Sequence, residues 1–230
     1  MLRQLARLVA PDACALCGER LLDDERTVCA ICLRRLPRTR FHRMADNPVF
    51  QRVFDASIPV ERAGALLLYA RGNTVARLIQ SFKYDGRASL ARTLGSMMAA
   101  ELLPAGFFGG VDCLVPVPLH FTRRLKRGYN QSQLLCEGIA AVTGIPVEKW
   151  LVASRAHRTQ THLAGERREE NALRNCFRLR GAPALSGRHI LVVDDVCTTG
   201  ATLRACLSAI HAAAPGARLS VLTLAAAGAG

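Results

Sequence analysis

One segment constrains the fold of this 230-residue chain more than any other, and it runs from residue 190 to residue 203. It opens with four apolar residues, continues with Asp194 and Asp195, and then passes through a loop of small residues into a predicted helix at about 201–214. A short apolar strand of this kind is typical of a parallel sheet that is buried on both faces. Ligands of such sheets bind at the carboxyl ends of the strands, where this loop begins.

The loop has the composition of a phosphate site. Its residues are Thr198, Thr199, Gly200, Ala201 and Thr202. They offer consecutive backbone N–H groups and three hydroxyls at the start of a helix, where the helix dipole also favours an anion. Gly200 permits close approach of the backbone. We therefore predict that the loop binds a phosphate group.

The two carboxylates before the loop suit a different part of the ligand. Asp194 and Asp195 would repel a phosphate, but they can accept hydrogen bonds from sugar hydroxyls. The residues thus predict a sugar phosphate, with a ribose held by the two aspartates and its 5′-phosphate in the loop. A nucleotide-hydrolysing strand is excluded because the chain has no GxxxxGK[ST] motif. Two aspartates that only cap the next helix remain an alternative.

Strands and helices alternate along the second part of the chain. We predict strands at 65–69, 112–117, 189–193 and 219–225, and helices at 74–84, 89–103, 132–143 and 201–214. This order is typical of an α/β fold in which helices flank a parallel sheet.

Four of the nine cysteines form a regular pattern near the amino terminus. Cys14 and Cys17 make one C-x-x-C pair, and Cys29 and Cys32 make a second. Together the pairs can enclose one metal ion in a tetrahedral site of four sulfurs, which suits zinc. Such a closed site stabilises a fold and leaves no position for a substrate. Four unliganded thiols and a redox dithiol are the alternatives.

The chain therefore divides into three predicted parts. Residues 1–45 form a zinc ribbon that is too small to bury a core of its own, residues 46–59 form a linker, and residues 60–230 form the α/β domain. Residues 1–10 show the spacing of a short amphipathic helix.

The charge of the chain is strongly positive. Its 31 basic and 18 acidic residues give a formal net charge of +13, which favours polyanions such as nucleic acid or a ligand with several phosphates. Five arginines follow the cysteines closely: Arg34, Arg35, Arg38, Arg40 and Arg43. We predict weak, non-specific binding of single-stranded DNA there. A basic face in contact with solvent alone is the simpler alternative.

Composition excludes several classes of protein. A hydrophobic content of 50% excludes a disordered chain. The longest apolar runs fall far short of the ~20 residues that a membrane helix needs, and residues 1–10 lack the apolar core of a signal peptide. We expect a cytoplasmic protein with no membrane insertion, where reducing conditions disfavour disulfides.

The segment 190–203 resembles the phosphoribosyl-pyrophosphate (PRPP) motif of type I phosphoribosyltransferases, and more of the chain resembles the ComF family among them. The matching motifs follow one another over nearly the whole chain. They are the double C-x-x-C pattern, FKYDGR at 82–87, VPVPLH at 115–120, RxxRGYNQ at 124–131, RxxRTxTxL at 155–163, ERxxxN at 166–171 and DDVxTTGAT at 194–202.

The resemblance implies a zinc ribbon fused to a type I phosphoribosyltransferase-like domain that binds PRPP with Mg²⁺. In the reaction that it implies, a nucleophile replaces pyrophosphate at ribose C1. We predict Asp194 and Asp195 as catalytic residues at the ribose, and Arg124 and Arg127 as catalytic residues that neutralise the leaving group. A solvated basic turn is the alternative for the two arginines.

The resemblance also suggests a link to natural competence and to the handling of imported single-stranded DNA. Two other functions stay open beside that of an enzyme. One is a non-catalytic nucleic-acid accessory that uses the fold as a ligand-sensing or scaffold module. The other is a DNA-uptake factor whose zinc module contacts a competence motor or helicase. Residues 190–203 favour the enzyme, whereas the net charge favours the other two.

Overall fold

The computed structural model describes residues 13–23, 25, 27–53, 58–84, 88–119, 128–153, 176–181 and 184–228. The helices are α1 (Ala30–Arg34), α2 (Pro48–Val53), α3 (Thr74–Tyr84), α4 (Ala88–Leu102), α5 (Gln131–Thr143) and α6 (Ala201–Ala213), with short 3₁₀ helices at Phe41–Arg43 and Leu103–Ala105. The strands are β1 (Val60–Tyr69), β2 (Cys113–Pro116), β3 (Leu151–Ala153), β4 (Phe177–Leu179), β5 (His189–Cys197) and β6 (Arg218–Ala227). Within these ranges, no helix is both long enough and apolar enough to cross a membrane. The helix predicted over residues 1–10 lies outside them.

Four of the strands form one sheet in the order β1–β6–β5–β2. All three pairings are parallel, so the carboxyl ends of the four strands lie along one edge. β5 lies inside the sheet, and the loop that follows it therefore begins between the ends of β2 and β6. β3 and β4 form a separate antiparallel pair. The predicted α/β fold with a parallel sheet is confirmed.

Helices cover both faces of this sheet. Leu191 and Val193 of β5 belong to one apolar core, to which α4 and α5 also contribute. Ile190 and Val192 belong to the other core, to which α6 contributes. Successive side chains of a strand point to opposite faces, so a strand between two cores must be apolar at every position. This explains the uninterrupted apolar start of β5.

β5 is longer than the strand predicted at 189–193. It continues to Cys197 because Asp194 and Cys197 still pair with Thr223 and Ala226 of β6. The two aspartates therefore lie within the last part of the strand and do not follow it. Their backbone is held by the sheet ladder, which fixes where their side chains begin.

The amino-terminal part of the chain is attached to the free side of β1. Thr39 N donates to the Leu66 carbonyl at 3.0 Å, and Leu68 N donates to the Pro37 carbonyl at 2.9 Å. The segment that we predicted as a linker contains helix α2, whose Val49 and Val53 are buried in the same core as the sheet. The domain boundaries at residues 45 and 59 stay a prediction.

Candidate ligand-binding site and cysteine cluster

A pocket opens to solvent at the carboxyl end of β5. Its lining consists of Asp194, Val196, Cys197, Thr198, Thr199, Gly200, Ala201, Thr202 and Leu203. We call residues 198–202 the phosphate loop. The structure thus brings Asp194 and all five loop residues together around one pocket, and it places Asp195 next to Asp194 in β5.

The phosphate loop turns sharply into α6. Gly200 is the residue before the helix and has a φ of +79°, a left-handed conformation that favours glycine. Ala201 N donates to the Thr199 hydroxyl at 3.4 Å, while Thr198 is exposed. The first turn of α6 carries no acidic residue, so nothing on that turn offsets the positive end of the helix dipole. An anion can be accommodated at this position.

Two donors hold the carboxylate of Asp194 at the pocket. The Ser132 hydroxyl donates to Asp194 Oδ1 at 2.8 Å, and Asp195 N donates to the same oxygen at 2.8 Å. Ser132 lies in the first turn of α5 and is buried. This arrangement holds the carboxylate in a fixed orientation beside the phosphate loop.

Ser132 is held in turn by the start of α5. Asn130 caps this helix through its Oδ1, which accepts a hydrogen bond from Ser132 N at 3.1 Å, and its Nδ2 donates to the Val117 carbonyl at 3.0 Å. The helix thereby joins the end of β2 to the end of β5. Ser132 was not among the residues predicted from the sequence, although an asparagine before an apolar helix is a recognisable capping signal.

The four amino-terminal cysteines come together as predicted. Their sulfurs all lie within 4.8 Å of one another, and those of Cys17 and Cys29 are 3.8 Å apart. Zinc–sulfur bonds of ~2.3 Å in a tetrahedron place the sulfurs about 3.8 Å apart. The donor set and its dimensions therefore fit a zinc ion.

The surroundings of the cysteines also favour a bound cation. Burial raises the pKa of the Cys14 thiol, but backbone N–H groups of Cys29, Cys17 and Leu16 outweigh it and lower that pKa to about 6. Burial and the neighbouring thiols raise the pKa of Cys32 to about 12. The sulfurs thus oppose one another's ionisation, and a cation between them would relieve this conflict.

The arginines that follow the cysteines do not form one uniform basic face. Arg38 is half-buried, bonds Glu101 at 2.9 Å and donates to the Leu33 and Leu36 carbonyls. These contacts tie Arg38 to the local fold, and its contact with DNA stays a prediction. The exposed members of the group are Arg34, Arg35, Arg40 and Arg43.

Arg124 and Arg127 lie outside the described residues, as do the motifs at 155–163 and 166–171. Their roles at the leaving group stay predictions.

Comparisons with known proteins agree with this geometry. A family model described as "Phosphoribosyl transferase domain" matches residues 91–230, which include α5, β5 and the phosphate loop. The chain is 31% identical to the DNA utilization protein YhgH of Escherichia coli (strain K12), over 85% of this chain and 89% of that protein. It is 34% identical to Competence protein F of Haemophilus influenzae, over 55% of this chain and 57% of that protein. It is also 24% identical to Competence protein ComFC of Bacillus subtilis (strain 168), over 85% and 77%.

Proposed function

Because the chain belongs to the ComF family of proteins with a phosphoribosyltransferase domain, we propose that it binds PRPP with Mg²⁺ in the pocket at the end of β5. The observation that carries this proposal is the meeting of Asp194 with the phosphate loop around one pocket. The carboxylate suits ribose hydroxyls, and the start of α6 suits the 5′-phosphate. Mg²⁺ binds mainly through substrate phosphates and water, so it needs few protein ligands.

The proposed reaction is pentosyl transfer. The bond from ribose C1 to pyrophosphate breaks, its electron pair leaves with the pyrophosphate, and the acceptor nucleophile forms the new bond to C1. Asp194 and Asp195 hold the ribose in this scheme, and Arg124 and Arg127 neutralise the leaving group, to which a bound Mg²⁺ would add positive charge.

Zinc at the cysteine cluster has a structural role in this proposal. Cys14, Cys17, Cys29 and Cys32 supply four sulfurs, which complete the coordination of a tetrahedral zinc ion. Such a site requires thiolates, and the reducing cytoplasm is the compartment in which they persist.

Calorimetry on one preparation tests the ligand. PRPP with Mg²⁺ and AMP should each bind to the wild-type protein, because both carry a ribose 5-phosphate. Replacing Asp194 and Asp195 together by asparagine should weaken both, since hydrogen bonds to charged groups contribute about 1.5–3 kcal/mol each. Absence of binding for every ribose 5-phosphate compound at millimolar concentration would refute the proposal.

A second candidate function is weak binding of single-stranded DNA during the use of imported DNA. Four exposed arginines favour it, and so do the names of the relatives, which refer to DNA utilization and competence. The zinc module is then the proposed contact for a competence motor or helicase. Few aromatic residues accompany the arginines, so affinity should depend on charge and fall steeply with salt.

Oligonucleotide anisotropy across a salt series tests this second function. The double variant Arg34→Gln/Arg35→Gln should reduce the slope of log affinity against log salt by about 1.4, since each phosphate contact contributes ~0.7. The double variant Arg71→Gln/Arg77→Gln removes two exposed charges elsewhere and is the matched control. Equal slopes for the two variants would show that the DNA-binding surface does not lie at Arg34 and Arg35.

A further inference from the structure

Helix α2 lies directly behind the phosphate loop. The carbonyl oxygen of Arg52, near the end of α2, would be 2.6 Å from a Cβ atom placed on Gly200. This distance is too short for any side chain, so the loop rests on the backbone of α2 at this point. The glycine is therefore required by its neighbour as well as by its left-handed backbone.

A second contact joins the loop to α2. Arg204 of α6 donates from Nη1 to the Thr199 carbonyl at 3.0 Å and from the same nitrogen to the Arg52 carbonyl. One guanidinium group thus connects the main chain of the loop with the main chain of α2. The loop cannot shift relative to α2 without breaking this connection.

The side chain of Arg52 joins α2 to the sheet. Its Nη1 donates to the Ala227 carbonyl at 2.7 Å, and its Nη2 donates to the Gly228 carbonyl at 2.6 Å. These carbonyls lie at the end of β6, the strand beside β5. Arg52 therefore contacts the phosphate loop with its backbone and the neighbouring strand end with its side chain.

The other end of α2 is anchored to β1. Asn47 is buried and accepts hydrogen bonds from Val49 N at 3.0 Å and Phe50 N at 3.1 Å, which caps the helix. Its Nδ2 donates to the Ala63 carbonyl of β1 at 2.8 Å. A helix held at both ends is a rigid support for the loop beside it.

We propose that Arg52 is a positioning residue for the phosphate loop, because it fixes α2 against the end of β6 and thereby holds the backbone N–H groups of residues 198–202 in the geometry that binds phosphate. The inference rests on the proposed function for the ligand, but the ordering of the loop is a property of the free protein. α2 precedes the family-model match at 91–230, so this support comes from outside the matched domain.

The test compares Arg52→Gln with Arg62→Gln. Arg62 also donates to two backbone carbonyls, those of Phe107 and Gly109, but it does so near the opposite edge of the sheet. Hydrogen–deuterium exchange of the free proteins should be at least about tenfold faster in residues 198–203 of Arg52→Gln and unchanged there in Arg62→Gln. Arg52→Lys should give an intermediate rate, because lysine is a single point donor and lacks the two-armed guanidinium.

Binding supplies the second measurement. Titration with PRPP and Mg²⁺ should show about tenfold weaker binding for Arg52→Gln and less than about twofold change for Arg62→Gln. Gly200→Ala displaces the loop from α2 without changing a charge, and it should weaken binding at least as much as Arg52→Gln.

The outcomes separate the two proposals. If the loop exchanges fast in Arg52→Gln but neither the wild-type protein nor any variant binds PRPP, the positioning role is supported and the proposed ligand is refuted. Equal exchange in the Arg52 and Arg62 variants would overturn the positioning role, whatever the wild-type protein binds. If Arg52→Gln fails to fold, Arg52→Lys and Gly200→Ala decide by the same two measurements.

Discussion

The cysteine cluster and the phosphate loop are both collections of polar groups, but they differ in where those groups point. The four sulfurs face one another within 4.8 Å and surround a space that suits one ion. The groups of the phosphate loop line a pocket that opens at the end of β5. A closed set of ligands contributes to folding, whereas an open set can contribute to binding of a substrate.

The neighbours of the two regions reflect this difference. Cys14 and Cys29 are buried in the same core as the sheet, so the cluster is part of the packing. The phosphate loop is instead supported from behind by α2 and from the side by Ser132, and its outer face carries the exposed Thr198. We therefore expect changes in the cluster to alter stability and changes at the loop to alter affinity.

The largest effect should come from removing the metal site. In Cys29→Ser, or after chelation, the protein should lose the proposed zinc ion, and residues 13–36 should unfold, because apparent zinc binding of about 10–16 kcal/mol is available to fold such a module. Metal analysis of protein purified without added zinc, followed by thermal unfolding, measures both. Cys176→Ala changes a buried cysteine elsewhere and should keep one zinc per chain. Metal-free protein that remains fully folded would contradict the structural role.

The next effect concerns the carboxylate at the pocket. Asp194→Asn should weaken binding of PRPP with Mg²⁺ by about 1.5–3 kcal/mol, because a charge-assisted hydrogen bond to the ribose is lost. Calorimetry gives the affinity. Asp112→Asn is the matched control, since Asp112 accepts a hydrogen bond from His189 N at 2.7 Å at the opposite edge of the sheet. A similar loss of affinity in both variants would show that the effect of Asp194→Asn is not specific to the pocket.

A smaller effect is expected at Ser132. Ser132→Ala removes the donor to Asp194 Oδ1 and should weaken PRPP binding by about 0.5–1.5 kcal/mol, the usual net contribution of one hydrogen bond. Because Ser132 acts through Asp194, its substitution should have little further effect in an Asp194→Asn background, which a double-mutant cycle measures. Additive losses would show that Ser132 contributes independently of the carboxylate.

The smallest effect belongs to an ion pair remote from the pocket. Arg188 bonds Glu148 at 2.7 Å and, by that hydrogen bond, lowers the pKa of the Glu148 carboxyl. A lowered pKa in the folded state stabilises the protein above the unfolded value of about 4.3, and this contribution is lost as the pH falls through the folded value. Arg188→Gln should therefore cost up to about 1 kcal/mol at pH 7 and less at pH 3. Urea unfolding at both pH values measures this, and PRPP binding at pH 7 should not change.

Most of the helices could be predicted from local sequence patterns. The helix at Thr74–Tyr84 was predicted with its bounds, and those at 89–103 and 132–143 were predicted to within one residue at each end. Periodicity and the capping of a helix involve neighbours in sequence, so they can be read without the tertiary structure. The same is true of the cysteine cluster, whose two pairs lie close together in the chain.

Contacts between distant residues could not be predicted. Ser132 and Asp194 are 62 positions apart, and Arg52 and Ala227 are 175 positions apart. The order of the strands and the packing of α2 and α5 against the sheet bring these residues together. Likewise, pairing with β6 extends β5 to Cys197, and Glu101 forms an ion pair with Arg38 of the predicted basic face. Sequence patterns thus located the phosphate loop but did not reveal what holds it in place.

Hydrogen–deuterium exchange of the wild-type protein, with and without PRPP and Mg²⁺, tests most directly whether the phosphate loop is the ligand site. The backbone N–H groups of residues 198–202 should exchange more slowly in the presence of PRPP, while those of residues 13–36 should be unchanged. Two results would contradict the account: binding of PRPP without protection of residues 198–202, or protection of residues 13–36 in their place. Either would mean that the phosphate loop is not the ligand site, and the second would also mean that the cysteine cluster is not purely structural.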